Sequence, residues 1–184
     1  LGRIKHLGMS VHGNYEILKA FLEEYGDHIE FCQIQLNYID WDFQDAKKKV
    51  ELLKEYNIPI WVMEPLRGGK LVTIDDESMK ILDAHRPNVS AVEWAFRYLQ
   101  SFADVKVILS GMSTMEQLKD NVKIFSEDKP LNKFEINALY ASVHKGFLAG
   151  TLPCTACRYC TEYCPMELDI PMYMRLYNEE KVNK

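Results

Sequence analysis

The sequence predicts an α/β fold with a parallel sheet, followed by a smaller cysteine-bearing segment. Three observations carry this reading. Strand-like and helix-like runs alternate through short connections as far as Phe125, the order that right-handed crossovers build into a parallel sheet. The run Ile58 to Glu64 is almost continuously apolar, as expected of a strand covered by helices. Four of the five cysteines then crowd into the eleven residues from Cys154 to Cys164.

Taken in order, Ile4 to Ser10 reads as the first strand, and Val11-His12-Gly13-Asn14 as a turn ending in a helix cap. Ile17, Leu18, Phe21 and Leu22 recur at helical spacing until Tyr25, and Gly26 stops the run. Phe31 to Asn37 is the second strand. Its alternation puts Gln33, Gln35 and Asn37 on one face, and Cys32, Ile34 and Leu36 on the other. The polar face is either solvated or, in a barrel, lines a site.

Asp42 to Tyr56 reads as one helix, with Lys47, Lys48 and Lys49 expected on a solvated face. The third strand, Ile58 to Glu64, ends in Pro65-Leu66-Arg67-Gly68-Gly69-Lys70, a loop that lets backbone approach a ligand. Asp76 to His85 and Ser90 to Phe102 are expected to be helical, the second with a broad apolar surface. Val105 to Ser110 is the fourth strand, and Gly111 with Ser113-Thr114 leads into a helix from Met115 to Phe125. A further helix is expected from Pro130 to Phe147, with Gly146 and Gly150 marking the passage to the cysteines. Ile170 to Tyr177 is read as a short closing helix, and Asn178 to Lys184 as a frayed tail.

A length of 184 residues, 47% of them apolar, suits one core with a small appendage. The boundaries read as residues 1–128 and 129–184. A net charge of −5 argues against nucleic acid as the main partner. No apolar run has membrane-spanning length and no signal peptide precedes the first strand, so a membrane partner is not expected. Clustered cysteines without a disulfide framework fit a reducing, cytoplasmic setting. The start at Leu1 rather than methionine is compatible with processing, a truncated boundary or a piece of a longer protein.

The cysteines Cys154, Cys157, Cys160 and Cys164 are spaced C-x2-C-x2-C-x3-C and followed by Pro165. This is the spacing with which bacterial-type ferredoxins hold iron–sulfur clusters. Thiolates at three-residue intervals let a short loop wrap one corner of a cubane, and the proline stops a helix from running through the last ligand. Zinc sites usually pair two cysteine knuckles across a longer gap, which this run lacks, although a structural zinc module stays open. In two-cluster ferredoxins the fourth cysteine of this spacing serves the other cluster. Here the only other thiol is Cys32, which strand alternation places opposite Gln33 and under the helices. Either Cys164 completes one 4Fe-4S cluster or the fourth ligand lies outside the chain, and the lack of a second cysteine run favours Cys164.

The segments Ile4 to Ser10, Cys32 to Asn37, Met63-Glu64-Pro65-Leu66-Arg67-Gly68-Gly69 and Leu109-Ser110-Gly111-Met112-Ser113-Thr114 resemble the last four strand ends of an aldo/keto reductase. With the cysteine run, the chain resembles the branch of that family carrying a ferredoxin-like motif after its barrel. The resemblance implies the C-terminal half, about strands five to eight, of a (β/α)8 TIM barrel, followed by a small helical iron–sulfur segment. It implies NAD(P) at the carboxyl ends of the strands and a small carbonyl or related redox substrate. The family's catalytic aspartate, tyrosine, lysine and histidine lie on the earlier strands. No catalytic residue is therefore expected within this chain, which alone should be inactive. It would need an N-terminal half-barrel, or a second copy of itself, as partner.

Carried over residue by residue, the resemblance places Ser10 and Gln33 at the nicotinamide carboxamide. It places Leu66 and Gly68 beside the pyrophosphate, and Gly111 and Ser113 in a phosphate turn with free backbone N–H groups. Gln117, Asp120 and Asn121 fall at the adenine and ribose end. Val11 stands where many relatives have asparagine, and Met112 to Gln117 lacks the arginine or lysine of many NADP-preferring relatives. Arg67 or Lys70 is then the candidate replacement cation. His12 is read as lining the site, not as an acid or base.

Two classes of function follow: part of an NAD(P)-linked oxidoreductase with an electron-relaying cluster, or a non-catalytic electron-transfer or zinc-binding module. Visible absorbance of anaerobically purified protein separates cluster from zinc. If Cys164 is the fourth ligand, Cys164→Ser changes both the iron content and the absorbance spectrum; unchanged values would place the fourth ligand elsewhere.

Overall fold

The computed structural model of the chain describes residues 2–146, 152, 154 and 156–182. Its four strands are β1 (Gly8–Val11), β2 (Phe31–Gln35), β3 (Ile60–Met63) and β4 (Val105–Ile108). They pair in sequence order, every pair parallel, with Ser10 opposite Gln33 and Gln35 opposite Met63. The predicted α/β class with a parallel sheet is what forms.

Between the strands run α1 (Tyr15–Tyr25), α2 (Asp40–Phe43), α3 (Ala46–Glu55), α4 (Asp76–Asp83) and α5 (Ala91–Gln100). After β4 come α6 (Met115–Phe125), α7 (Lys133–Gly146), α8 (Tyr159–Glu162) and α9 (Ile170–Val182). The helix starts follow local chemistry. Asn14 accepts from the Ile17 N–H at 3.0 Å, Asp75 from Ser78 at 2.9 Å and Ser90 from Glu93 at 3.1 Å. Thr114 and Gln117 form a reciprocal capping box on α6.

The two faces of the sheet differ. Cys32, Ile34, Ile60 and Val62 point to the helix side and are fully buried, in a core shared with Leu18, Leu22, Leu53, Trp94, Tyr98 and Leu99. On the opposite face Phe31, Gln33, Trp61 and Met63 are only half-buried and Ser10 is exposed. Phe31 and Trp61 stack there at 4.1 Å, and Gly8 leaves the space that the Phe31 ring fills.

Several expectations need correction. The first strand starts at Gly8, not Ile4, because β2 begins pairing only at Phe31; Ile4 and Leu7 are exposed. The helix expected over Asp42 to Tyr56 is two helices, broken at Asp45, whose φ is +50°. Lys49 is buried rather than solvated, and desolvation lowers its ammonium pKa; Lys47 and Lys48 are exposed. α9 continues to Val182, so most of the expected frayed tail is helical; residues 183–184, Phe147 and Gly150 lie outside the described residues. Cys32 is buried as expected, and burial pushes its thiol up to about 12, far from a thiolate at neutral pH.

Two arginines tie the chain after α6 back to the core. Arg97 is buried, bonds Glu93 and Gln100, and donates to the Glu127 carbonyl. Arg86 grips Glu135 at 2.6 and 2.8 Å and reaches the carbonyls of Lys129 and Pro130. α7 then packs on α4, with Ser78 donating to the Ser142 carbonyl at 2.9 Å and Leu139 in the core.

The Arg86 hydrogen bonds hold the Glu135 carboxyl below its ordinary value of 4.5. A depressed carboxylate pKa adds stability that is fully present above the ordinary value and is lost as pH falls through the lowered one. Glu135→Gln is therefore expected to cost about 2 kcal/mol at pH 7 and progressively less toward pH 3. Urea unfolding at both pH values checks this; an equal loss at both would contradict it.

Candidate functional site

The carboxyl ends of β3 and β4 are followed by the two loops that make the site. A cleft of about 880 Å³ opens between the Pro65 to Gly69 loop and the start of α6, within the usual range for cofactor sites. Of the residues named from sequence, Leu66, Gly68, Gly111, Gln117, Asp120 and Asn121 line it together. Glu64, Met63 and Lys123 also line it and were missed. Lys123 lies one position off the Gln117, Asp120, Asn121 and Ile124 helical stripe, which was the available signal.

The loop after β3 is backbone-strained. Glu64 and Arg67 have φ of +56° and +49°, and Gly68 and Gly69 follow at +62° and +85°. Non-glycine residues in this region cost roughly 1–2 kcal/mol each, so something must hold them. Asp40 does this from α2. It is fully buried, its Oδ1 accepts from Arg67 Nε at 3.2 Å, and its Oδ2 accepts from Gln35 at 2.7 Å and Asn37 at 2.6 Å. Asn37 also donates to the Glu64 carbonyl at 2.9 Å and accepts from the Ile39 and Asp40 N–H groups.

The polar face of β2 thus divides. Gln35 and Asn37 serve this buried network, and only Gln33 faces the site. Gln33 Nε2 reaches Ser10 Oγ at 3.5 Å and Met63 Sδ at 3.5 Å, so the two expected carboxamide residues do converge. They sit beside the cleft rather than among its lining residues, with Met63 joining the two regions. Arg67 is 5% exposed and paired with Asp40, which removes it as a free cation for a nucleotide phosphate.

The turn before α6 differs from expectation. Gln117 Oε1 accepts from the Ser113 N–H at 2.8 Å and the Thr114 N–H at 3.2 Å, so these groups are occupied by the helix's own cap. Asn121 donates to Ser110 Oγ at 3.0 Å and fastens α6 to the end of β4. Among the described residues, Glu64 Oε2 is buried in the cleft wall without a hydrogen-bond partner, an acceptor that a ligand donor would satisfy.

The cysteine loop lies at the same end of the sheet. Lys70 Nζ donates to the Cys154 carbonyl at 3.4 Å, and the Tyr159 ring meets His12 edge-on at 5.3 Å. Cys154 and Cys164 are half-buried, Cys157 and Cys160 exposed, and all four thiols are free. Cys164 Sγ accepts from the Leu168 N–H at 3.4 Å, and Ala156 and Arg158 adopt left-handed backbone. Among the described residues no three His, Cys, Asp or Glu converge closely enough to hold a metal ion. The donor set suits a cluster; the sulfurs are not gathered around one point.

A model of the protein family described as the aldo/keto reductase family matches residues 1–143. The aldo-keto reductase AKR11C1 from Bacillus halodurans superposes in its holo form with a TM-score of 0.61 at 20% identity, over 77% of this chain and 51% of that one. Its apo form gives 0.61 at 20%, over 77% and 52%. The thermostable aldo-keto reductase Tm1743, in complex with the inhibitor epalrestat, gives 0.59 at 17%, over 77% and 49%. The chain spans about half the length of these structures. Among curated proteins none is significantly similar to it. The chain belongs to the aldo/keto reductase family.

Removing the Asp40 carboxylate would leave Arg67 buried without that counter-charge. Asp40→Ala is expected to lower unfolding stability by about 3 kcal/mol in urea titration. A loss under 1 kcal/mol would show that the loop is held by other contacts.

Proposed function

We propose that this member of the aldo/keto reductase family is part of an NAD(P)-linked oxidoreductase acting on small carbonyl compounds, with a 4Fe-4S cluster on its C-terminal extension. The observation that carries the nucleotide half is the grouping of six residues, named from sequence alone, around one cleft at the carboxyl ends of the strands. Ser10 and Gln33 would orient the carboxamide, and Leu66 and Gly68 would flank the pyrophosphate. Gly111 and Ser113 would border the phosphate turn, and Gln117, Asp120 and Asn121 would meet the adenosine. The unpartnered Glu64 Oε2 would accept a hydrogen bond from a ribose hydroxyl or the carboxamide. The nicotinamide supplies hydride chemistry when bound, and the chain's residues hold it in one orientation.

NADP(H) is the family's usual cofactor. The exposed Lys123 in the cleft is a better candidate than Arg67 for a phosphate on the ribose.

For the extension, residues 129–184, the reading rests on donor chemistry and spacing. Cys154, Cys157, Cys160 and Cys164 would be the ligands, and a cluster there supplies one-electron transfer. Among the described residues, Thr161 Oγ1, buried between the third and fourth cysteines, has no hydrogen-bond partner, which fits a loop whose arrangement is completed by what it binds. The half-open face of the sheet, with Phe31, Trp61, Gln33 and Ser10, is what the interior of a barrel would present to strands from its other half. Activity is therefore assigned to the assembled barrel and not to residues 1–184 alone.

The test is titration of the full-length protein with NADPH and NADH, followed by fluorescence. Binding is expected, weakened roughly fivefold to tenfold in Gln33→Ala as one polar contact is lost. If neither nucleotide binds, the enzyme reading is overturned. A colourless protein retaining zinc would overturn the cluster.

A further inference from the structure

The charges around the cleft are unequal. Among the described residues, its charged lining consists of Glu64, Glu93, Asp120 and Lys123. Glu93 is matched by Arg97, whose Nη2 lies 3.0 Å from its Oε1. Glu64 Oε2 is buried and, among the described residues, has no hydrogen-bond partner. Asp120 likewise has neither a side-chain hydrogen bond nor an ion pair among the described residues. Two uncompensated carboxylates therefore face one ammonium group.

The helix that would meet the adenosine narrows this further. Gln117, Asp120 and Asn121 line the cleft from α6. Gln117 and Asn121 are already committed within the protein. Gln117 Oε1 accepts from the Ser113 and Thr114 N–H groups at 2.8 and 3.2 Å, and Asn121 donates to Ser110 Oγ at 3.0 Å. The exposed Asp120 carboxylate is what α6 has left to offer a ligand.

A phosphate on the ribose would be poorly served there. The start of a helix favours an anion, but the two N–H groups nearest to that role at α6 are filled by Gln117. Lys123 follows Asp120 by three residues, so the two side chains are neighbours on the helix surface. A phosphate held by the lysine also meets the carboxylate. The lysine's charge is shared as well, since Lys129 chiefly, with Arg97 and Lys123, holds the Glu127 carboxyl below its ordinary value. A ribose diol brings two O–H donors instead, and a carboxylate accepts them without repulsion.

We propose that Asp120 selects the unphosphorylated ribose, so that the cleft prefers NAD(H) to NADP(H), the reverse of the family's usual preference. Asp120 accepts from the diol of NAD(H) and repels the extra phosphate of NADP(H), and Glu64 adds to the negative lining from the end of β3. The repulsion acts partly through water, because Asp120 is exposed, and it weakens as salt screens it. This rests on the preceding reading of the cleft as a nucleotide site with its adenosine end at α6.

The experiment is titration of the full-length protein with NADH, NADPH, and ADP with and without an added ribose phosphate, the ADP pair isolating the adenosine end. NADH is expected to bind roughly tenfold tighter than NADPH at low salt, with a similar ratio for the ADP pair and a smaller one at high salt. Asp120→Asn should bring the ratio toward one by tightening NADPH and loosening NADH, and Asp120→Arg should invert it. Position 120 is exposed, so neither substitution disturbs the core. NADPH binding as tightly as NADH, or more tightly, overturns the proposal while leaving the cleft a nucleotide site. So does a tenfold ratio that survives in Asp120→Asn. If none of the four compounds binds, this proposal falls together with the reading beneath it.

Discussion

One face of the four-stranded sheet is sealed by helices and the other is not, and most features of the molecule follow from that asymmetry. The sealed face holds Cys32, Ile34, Ile60 and Val62 at zero exposure against α1, α3 and α5. It supplies the hydrophobic burial that makes the sheet stable. The other face carries a stacked Phe31 and Trp61 beside Ser10 and Gln33, a mixture suited neither to open water nor to a dry core. Parallel strands in simple sequence order, with apolar residues toward the helices and polar ones toward the opposite face, are the layout of a barrel segment.

The second constraint is local. A loop of left-handed residues after β3 is held open by a buried carboxylate reaching across from α2. Asp40 joins Arg67, Gln35 and Asn37, and Asn37 continues to the Glu64 carbonyl. Backbone strain at Glu64 and Arg67 is tolerated because the network fixes both ends of the turn. Without it, Gly68 and Gly69 would have no defined position along the cleft. The site depends on this concealed ion pair as much as on the residues that would touch a ligand.

How much of this was legible in sequence depends on the range of the interaction. Alternation in Phe31 to Asn37 and the caps at Asn14 and Thr114 are local, and they placed strands, helices and the phosphate-side loops. Of the six cleft residues carried over from the family resemblance, Leu66, Gly68 and Gly111 came from short motifs at strand ends, and Gln117, Asp120 and Asn121 from the helix that follows the last of them. What escaped was long-range. The separate roles of Gln33 and Gln35 are identical in alternation and differ only because Asp40 lies near one of them. Arg67 looked like a free cation until its partner, 27 residues away, was in view. Gln117 was read as a ligand contact, although its spacing from Thr114 also spells a capping box. The docking of Tyr159 on His12 joins the two ends of the chain, and no local pattern announces it.

The central claim is that the half-open face belongs inside a barrel whose other strands come from elsewhere. Sedimentation velocity of residues 1–184 alone tests it most directly. Among the described residues, an unpaired sheet edge at β1 and another at β4, with a half-buried Phe31–Trp61 face, predict self-association or aggregation, relieved when the complementary half-barrel is supplied. A monodisperse, stably folded monomer, unchanged by that addition, would contradict it.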